Sequence, residues 1–336
     1  MATIDTEFEP IIEILEDILG DYKLHNDGKG QISFDCPVCS HEIKGLDEGD
    51  GKGNLEINYK LGVYKCWSCS ETHNTRGTLY RLIKKYGNKK QIHFYELMRP
   101  EEVDTTLPKP KILKGLPKEF VSFTTASLGL KLTHYYKQAY NYIRSRNITD
   151  EMLTRYNIGF AYEGEYANRI IIPSYDAENK LNYFIARSYL ARTKMKYKNP
   201  DVQKEIIIFN EHLINWDEPI YLVEGAFDSI FVPNSIPLLG KFVSEFVFNK
   251  IYDNATQITI LLDGDAWEDA KRIYSELNFG NLTGRVKIIK TPEDYDPSKI
   301  NENFGSRGII QTLKTARFLS DKEFRCCRRW GHGCHK

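Results

Sequence analysis

The sequence predicts a mixed α/β protein, α+β overall, with a small cysteine-stapled module ahead of an α/β core. Three observations carry this expectation. Two apolar runs, Ile220–Val223 (IYLV) and Gln257–Leu262 (QITILL), are each followed by an acidic turn and a helical stretch, the pattern of buried parallel strands alternating with helices. Two C-x-x-C pairs flank a Gly-, Asp- and Asn-rich segment that suits hairpin turns. The hydrophobic (41%) and charged (27%) fractions of the 336 residues are those of a globular chain with room for about two domains.

Along the chain, Ile11, Ile12, Ile14, Leu15, Ile18 and Leu19 recur at helical spacing between acids and predict an amphipathic helix over 10–19. The cysteine-bearing hairpins follow, then a helix over Thr78–Tyr86. Pro100, Pro108 and Pro110 among charges mark a linker and the main domain boundary. Beyond it, Tyr140–Arg155 reads as one helix, and Arg169–Ile172 and Leu181–Ala186 as strands joined by a turn over Asp176–Lys180. The expected organisation is a helix and cysteine module over 1–100, a linker over 101–117, a basic subdomain over 118–215, an α/β subdomain over 216–318 and a disordered tail over 319–336.

Composition excludes fibrous, collagen-like and wholly disordered classes. No run of 18 uncharged apolar residues is present, and the stretch from Ser229 to Gly240 is broken by two prolines, so no membrane partner is expected. The first residues lack a basic segment and apolar core of a secretory leader, which predicts a cytoplasmic protein. No G-x-x-x-x-G-K-[ST] loop occurs, arguing against a P-loop ATPase. The 46 basic and 46 acidic residues cancel, but unevenly: residues 1–20 hold six acids and no base, whereas Lys180–Lys204 holds seven bases and one acid. Such a local basic stripe is the footprint of a polyanion.

Cys36-Pro-Val-Cys39 and Cys66-Trp-Ser-Cys69 are separated by 26 residues. Each knuckle delivers two thiolates from one tight turn to a tetrahedral ion, so the four are expected to bind one structural Zn2+ per chain in a zinc ribbon. His41 and His73 read as surface residues. Tyr64, Lys65, Trp67 and Arg76 surround the second knuckle; aromatics beside cations can stack unpaired bases, or the rings can simply cover a small core. Cys326, Cys327, His332, Cys334 and His335 at the far end fit no familiar ligand spacing and read as part of the tail rather than as a second metal site.

The most informative residues are carboxylates at strand ends. Glu224-Gly225 follows IYLV with Asp228 one helical turn on, and Asp263-Gly264-Asp265 follows QITILL. The carboxyl ends of neighbouring parallel strands face one crevice, so Glu224, Asp263 and Asp265 are expected to converge. Clustered carboxylates call for a hard divalent cation, Mg2+ or Mn2+. Such an ion activates a hydroxyl and stabilises a leaving phosphate in an in-line displacement.

Strand-Glu224-Gly225-Ala226-Phe227-Asp228 followed by Leu262-Asp263-Gly264-Asp265-Ala266 resembles the Toprim fold of bacterial-type primases, topoisomerases and some nucleases. Tyr142–Thr149, Tyr156–Phe160, Arg169–Pro173, Phe184–Arg187 and Lys196–Pro200 resemble the polymerase domain of DnaG-type primases, and Pro292-Glu-Asp-Tyr-Asp-Pro297 resembles their third acidic motif. The resemblance runs in order over about residues 30–300, with the cysteine quartet standing where those primases carry a zinc ribbon. Two departures stand out: Ser298 replaces an acid after Pro297, and Asn179 replaces a turn glycine. The residues of this sequence after the third motif are too few for a helicase-binding C-terminal domain or a fused helicase, so the resemblance implies a stand-alone primase similar to that of T-even-type phages.

The resemblance implies template-directed synthesis of short RNA primers from ribonucleoside triphosphates on single-stranded DNA. Glu224, Asp263 and Asp265 would be catalytic and hold Mg2+ or Mn2+, with Asp228 and Asp296 supporting. Arg146, Arg187, Lys196, Lys204 and Trp67 would bind nucleic acid or nucleotide. A separate replicative helicase and a single-stranded-DNA-binding protein are the implied partners. Two other classes share part of the pattern: a Toprim nuclease or recombination mediator with a zinc module, and a non-enzymatic zinc-ribbon nucleic-acid-binding protein.

Overall fold

The computed structural model describes residues 6–24, 30–46, 49, 51–73, 75–98, 113–240, 242–278, 282–320 and 323. Most of the expected linker (101–112) and of the tail, with its cysteines and histidines, therefore lies outside the described residues. The chain divides into two compact units, Met1–Lys109 with Asn278–Thr283 and Leu319–Lys336, and Pro110–Leu277 with Gly284–Phe318. The mixed α/β class is met.

The first unit opens with helix α1 (Glu9–Leu19), whose Pro10 sits in the first turn, where a missing N–H costs nothing. An antiparallel sheet follows in the order β1 (Lys23–Leu24), β2 (Gln31–Phe34), β3 (Leu55–Asn58), β4 (Val63–Cys66), β5 (Arg76–Thr78). Helices α2 (Ser70–His73), α3 (Leu79–Tyr86) and α4 (Lys89–Met98) complete the unit. Its core joins Ile11, Ile12 and Leu15 to Ile32, Phe34, Leu55, Ile57, Leu82 and Ile83, with all four cysteines packed into the same cluster. In β3 the pleat alternates, turning Leu55 and Ile57 inward.

The second unit holds two four-stranded sheets. One is an antiparallel meander of β6 (Val121–Ser122), β7 (Gly159–Ala161), β8 (Arg169–Tyr175) and β9 (Leu181–Ser188). Its β8–β9 turn is tied by Asp176 Oδ1, which accepts from the N–H groups of Glu178 and Lys180. Asn179, standing for the expected glycine, supplies the left-handed backbone at φ 62°. Helices α5 (Leu128–Lys131), α6 (His134–Ser145) and α7 (Asp150–Arg155) precede β8. The single helix expected over 140–155 is broken: Asn147 turns left-handed at φ 56° and the Thr149 hydroxyl caps a new helix by accepting from Met152 N–H at 3.3 Å.

The other sheet is parallel, in the order β11 (Ser235–Pro237), β10 (Ile220–Val223), β12 (Ile258–Ile260), β13 (Val286–Ile288). Helices α8 (Ala226–Phe231), α9 (Glu245–Asn254), α10 (Trp267–Leu277) and α11 (Pro297–Leu313) connect and follow its strands. The two sheets share one core, because Phe160, Ile170, Ile172 and Ile185 of the meander cluster with Phe227, Ile230, Ile300 and Ile309 of α8 and α11. No described helix is long and apolar enough to cross a membrane.

Candidate metal centre and acidic crevice

Cys36 precedes a π-helical turn (Val38–Ile43) that carries Cys39, and Cys66 ends β4 with Cys69 in the turn behind it. All four side chains are buried and their sulfurs lie within 4.8 Å of one another. Cys36 and Cys69 sulfurs are 3.7 Å apart, as are those of Cys39 and Cys66. A tetrahedron with metal–sulfur arms of about 2.3 Å has edges of about 3.8 Å, so the quartet has the dimensions of a closed zinc site. Hydrogen bonding to Cys66 and Cys69, then burial, pushes the Cys36 thiol up, while the bonds from Cys36 and Cys69 lower Cys66. Four buried thiols at this spacing suit a divalent cation, which would hold them as thiolates. Among the described residues no histidine joins this group, and His41 Nδ1 instead meets the Leu46 carbonyl at 2.5 Å.

The aromatics beside the quartet divide. Tyr64 is buried in the core, whereas Trp67 is 65% exposed. The Trp67 indole N–H donates to Glu56, and the Lys65 ammonium lies 4.6 Å from the indole ring centre.

In the second unit the strand register builds the crevice. Leu261 N–H donates to Leu222, Leu238 N–H to Val223 and Ile289 N–H to Ile260, aligning the carboxyl ends of all four parallel strands. Glu224 leaves β10 there, and Asp263 follows β12. Asp296 arrives by the loop after β13, held because Gly264 N–H donates to the Tyr295 carbonyl at 2.8 Å and Tyr295 N–H to that of Pro292 at 2.9 Å. Gly264 is required at this contact: a Cβ there would lie 1.9 Å from the Pro292 carbonyl oxygen.

The other four predicted carboxylates all act on Asp263. Burial first, then the charges of Asp228, Glu224, Asp296 and Asp265, push the Asp263 carboxyl up to about 8. Its Oδ1 is buried without a hydrogen-bond partner. Asp228 is pushed up to about 6 by burial and Asp296, against the opposing hydrogen bonds from Ser298 and Gly225 N–H groups. Those bonds, 3.2 Å each, occupy both Asp228 oxygens, so this side chain also ties the start of α8 to the start of α11. Asp296 caps α11 by accepting from Lys299 N–H at 2.6 Å. A buried carboxylate oxygen without a partner, acted on by four other acids, suits a hard divalent cation, although among the described residues only the cysteine quartet brings three or more donor atoms close enough to hold an ion unaided. Ser298, where a further acid was expected, is buried with its hydroxyl unpartnered.

Cations border the carboxylates. Lys196 is lowered by Arg187, then by burial and Arg146, while Asp296 and Asp263 oppose the shift, so three cations and two acids share one neighbourhood. Lys204 donates to the Leu239 carbonyl at 2.7 Å, just past the end of β11. Sequence reasoning missed two supports. Arg169 is buried and donates to the carbonyls of Met195 (2.9 Å), Lys196 (3.2 Å) and Ala186 (3.4 Å), pinning the loop that presents Lys196. Phe227 lies beneath both Arg146 and Arg187.

Fold and site define a chain with a buried four-cysteine cluster of metal-site dimensions and a carboxylate-rich α/β crevice edged by cations. Its relatives are DNA primases. It is 22% identical to the DNA primase of Lactococcus lactis over 94% of this chain and 56% of that protein. It is 25% identical to that of Legionella pneumophila over 80% and 55%, respectively. The DNA primase of Enterobacteria phage T4 is 22% identical over 65% of this chain and 66% of its own length, so the phage enzyme is one relative among bacterial ones at similar identity. The chain spans about half the length of the bacterial relatives it matches. Among solved structures, the zinc-binding and RNA polymerase domains of Aquifex aeolicus primase align over 94% of this chain and 87% of that one, with TM-score 0.46 and 16% identity. A DnaG primase catalytic domain bound to single-stranded DNA aligns over 55% and 74%, with TM-score 0.49 and 18% identity. No protein-family model matches the chain.

Proposed function

We propose that this chain is the zinc-ribbon and polymerase portion of a DnaG-type DNA primase, synthesising short RNA primers on single-stranded DNA from ribonucleoside triphosphates. The observation that carries the reading is a buried carboxylate, Asp263, acted on by four further acids and sharing its neighbourhood with Lys196, which Arg146 and Arg187 also act on. Its acids suit divalent cations and its bases suit phosphates. Glu224, Asp263 and Asp265 are the catalytic carboxylates and would hold Mg2+ or Mn2+, with Asp296 supporting and Asp228 fixing the two helix starts around them. When bound, the ion supplies Lewis-acid stabilisation of the transferring phosphoryl group. Arg146 and Arg187 bind the triphosphate, and Lys196 and Lys204 the phosphates of template or nucleotide. Exposed Trp67, with Lys65 over its ring, offers a stacking face for a template base. The cysteine quartet holds one structural Zn2+ per chain.

The likeness to a T-even phage primase extends this reading to a chain that works beside a separate replicative helicase and a single-stranded-DNA-binding protein in the cytoplasm of a host cell. Incorporation of labelled ribonucleotides on a single-stranded template with Mg2+ tests the function. Incorporation by the wild-type chain, and its loss in Asp263→Ala and Asp265→Ala at unchanged zinc content, are the expected results. Near wild-type incorporation by either variant would overturn the metal assignment. Shortened DNA without RNA would favour a Toprim nuclease.

A further inference from the structure

Within the run Glu224-Gly225-Ala226-Phe227-Asp228, the residue at 227 reads as a spacer. The structure gives it a specific place. Phe227 is 3% exposed and immediately precedes Asp228. Two guanidinium groups lie over its ring, that of Arg146 at 5.2 Å from the ring centre and that of Arg187 at 4.9 Å.

The two arginines reach this ring from distant segments, one from the end of α6 and one from β9. Each has a second anchor: Arg146 pairs with Glu302 at 3.2 Å, and Arg187 donates to the Tyr197 hydroxyl at 2.8 Å. Like charges drawn to one place repel, and Lys196 adds a third. Burial in this core cluster accounts for an apolar side chain at 227 but not for the two cations over it. An aromatic ring does more, because the negative potential of its face attracts both cations and offsets their repulsion.

We propose that Phe227 is a positioning residue whose ring holds Arg146 and Arg187 as a preorganised pair, beside the carboxylates, for the phosphates of the incoming ribonucleoside triphosphate. The inference rests on the nucleotidyl-transfer reading of the same crevice. It adds a residue that acts through the two arginines without touching the reacting atoms. Preorganisation of this kind strengthens binding by removing the cost of ordering the two side chains on arrival of the ligand.

The test replaces Phe227 with mono-, di- and trifluorinated phenylalanines, which drain the potential of the ring face while nearly keeping its shape, alongside Phe227→Leu. Apparent KM for ribonucleoside triphosphates is expected to climb stepwise with fluorination, reaching about ten-fold, the scale of two partly desolvated cation–π contacts. kcat should stay within about two-fold and Tm should fall by only a few °C, the mark of lost ring–cation attraction; a purely packing role, with the ring's shape nearly kept, would leave KM flat. The fluorinated series decides the question even where Phe227→Leu fails to fold. A flat KM across the series in an enzyme that still makes primers would overturn the proposal alone. A wild-type chain that neither incorporates nor binds ribonucleotides would overturn the function and the proposal together.

Discussion

Replacing Gly264 by alanine probes the joint on which the crevice depends. The new Cβ would lie 1.9 Å from the Pro292 carbonyl oxygen, 2.5 Å from its carbonyl carbon and 2.7 Å from the Glu293 Cα. All three are backbone atoms, so no rotamer change relieves the clash. Ordinary van der Waals contact begins at 3.4 Å, so the Pro292–Glu293 backbone must retreat by about 1.5 Å. That turn is bonded to Gly264 through Tyr295 and leads directly into Asp296, so the carboxylates after β12 and β13 are pushed apart. A misplacement of about 1 Å in a positioned site costs on the order of 100-fold in rate. Overpacking of this kind costs about 1–3 kcal/mol in stability. The assay is steady-state ribonucleotide incorporation on a single-stranded template, with Gly129→Ala as the control because nothing lies within 4 Å of a Cβ there. Gly264→Ala should lose about two orders of magnitude in rate while Gly129→Ala keeps its own. A Gly264→Ala variant with wild-type rate and metal dependence would refute the geometry described for the third acidic segment.

The sequence announced the crevice because its chemistry is written locally. Glu224 and Asp263 directly follow apolar strands, and parallel pairing then brings strand ends together whatever the rest of the chain does. The cysteine quartet was legible for the same reason, since each knuckle is a four-residue motif. The fate of Tyr64 and Trp67 was also within reach. Cys66 must face the metal, so the pleat puts Tyr64 on the same inward face and frees Trp67 on the far side of the knuckle. The break between α6 and α7 was hidden because apolar periodicity continues through it, and a left-handed Asn with a Thr cap outweighs that pattern. Phe227 and Arg169 were illegible because their partners lie far away in sequence. Arg169 reads only as the first residue of a strand until its three carbonyl partners are seen.

Cys36→Ser should remove the bound zinc, read by elemental analysis of the purified chain, and make residues 30–98 protease-sensitive while ribonucleotide binding persists; retention of one zinc per chain would contradict the quartet. Asp263 has a pKa of about 8 in the fold against an ordinary 3.8, so its protonated form is favoured and the destabilisation grows as pH rises between those values. In magnesium-free buffer Asp263→Asn should therefore match the wild-type Tm near pH 4 and exceed it by a few °C near pH 8, an advantage that Mg2+ should erase; solvent screening at this partly open site keeps the effect modest. Arg169→Met frees the loop carrying Lys196 and should weaken binding to single-stranded DNA about three- to ten-fold, with a shallower salt dependence in fluorescence anisotropy. An unchanged salt slope would detach Lys196 from nucleic-acid binding.

The central claim is that this crevice starts RNA chains. A chain started from two nucleotides keeps the triphosphate of the first, whereas every later addition expels its β- and γ-phosphates as pyrophosphate. The decisive measurement is therefore incubation of the full chain with single-stranded DNA, Mg2+ and ribonucleoside triphosphates labelled at the γ-phosphate, with the products resolved by length. Short γ-labelled RNA that is absent with Asp265→Ala is the expected result. Labelled product equally abundant with that variant, or no γ-labelled RNA beside shortened DNA, would contradict the account.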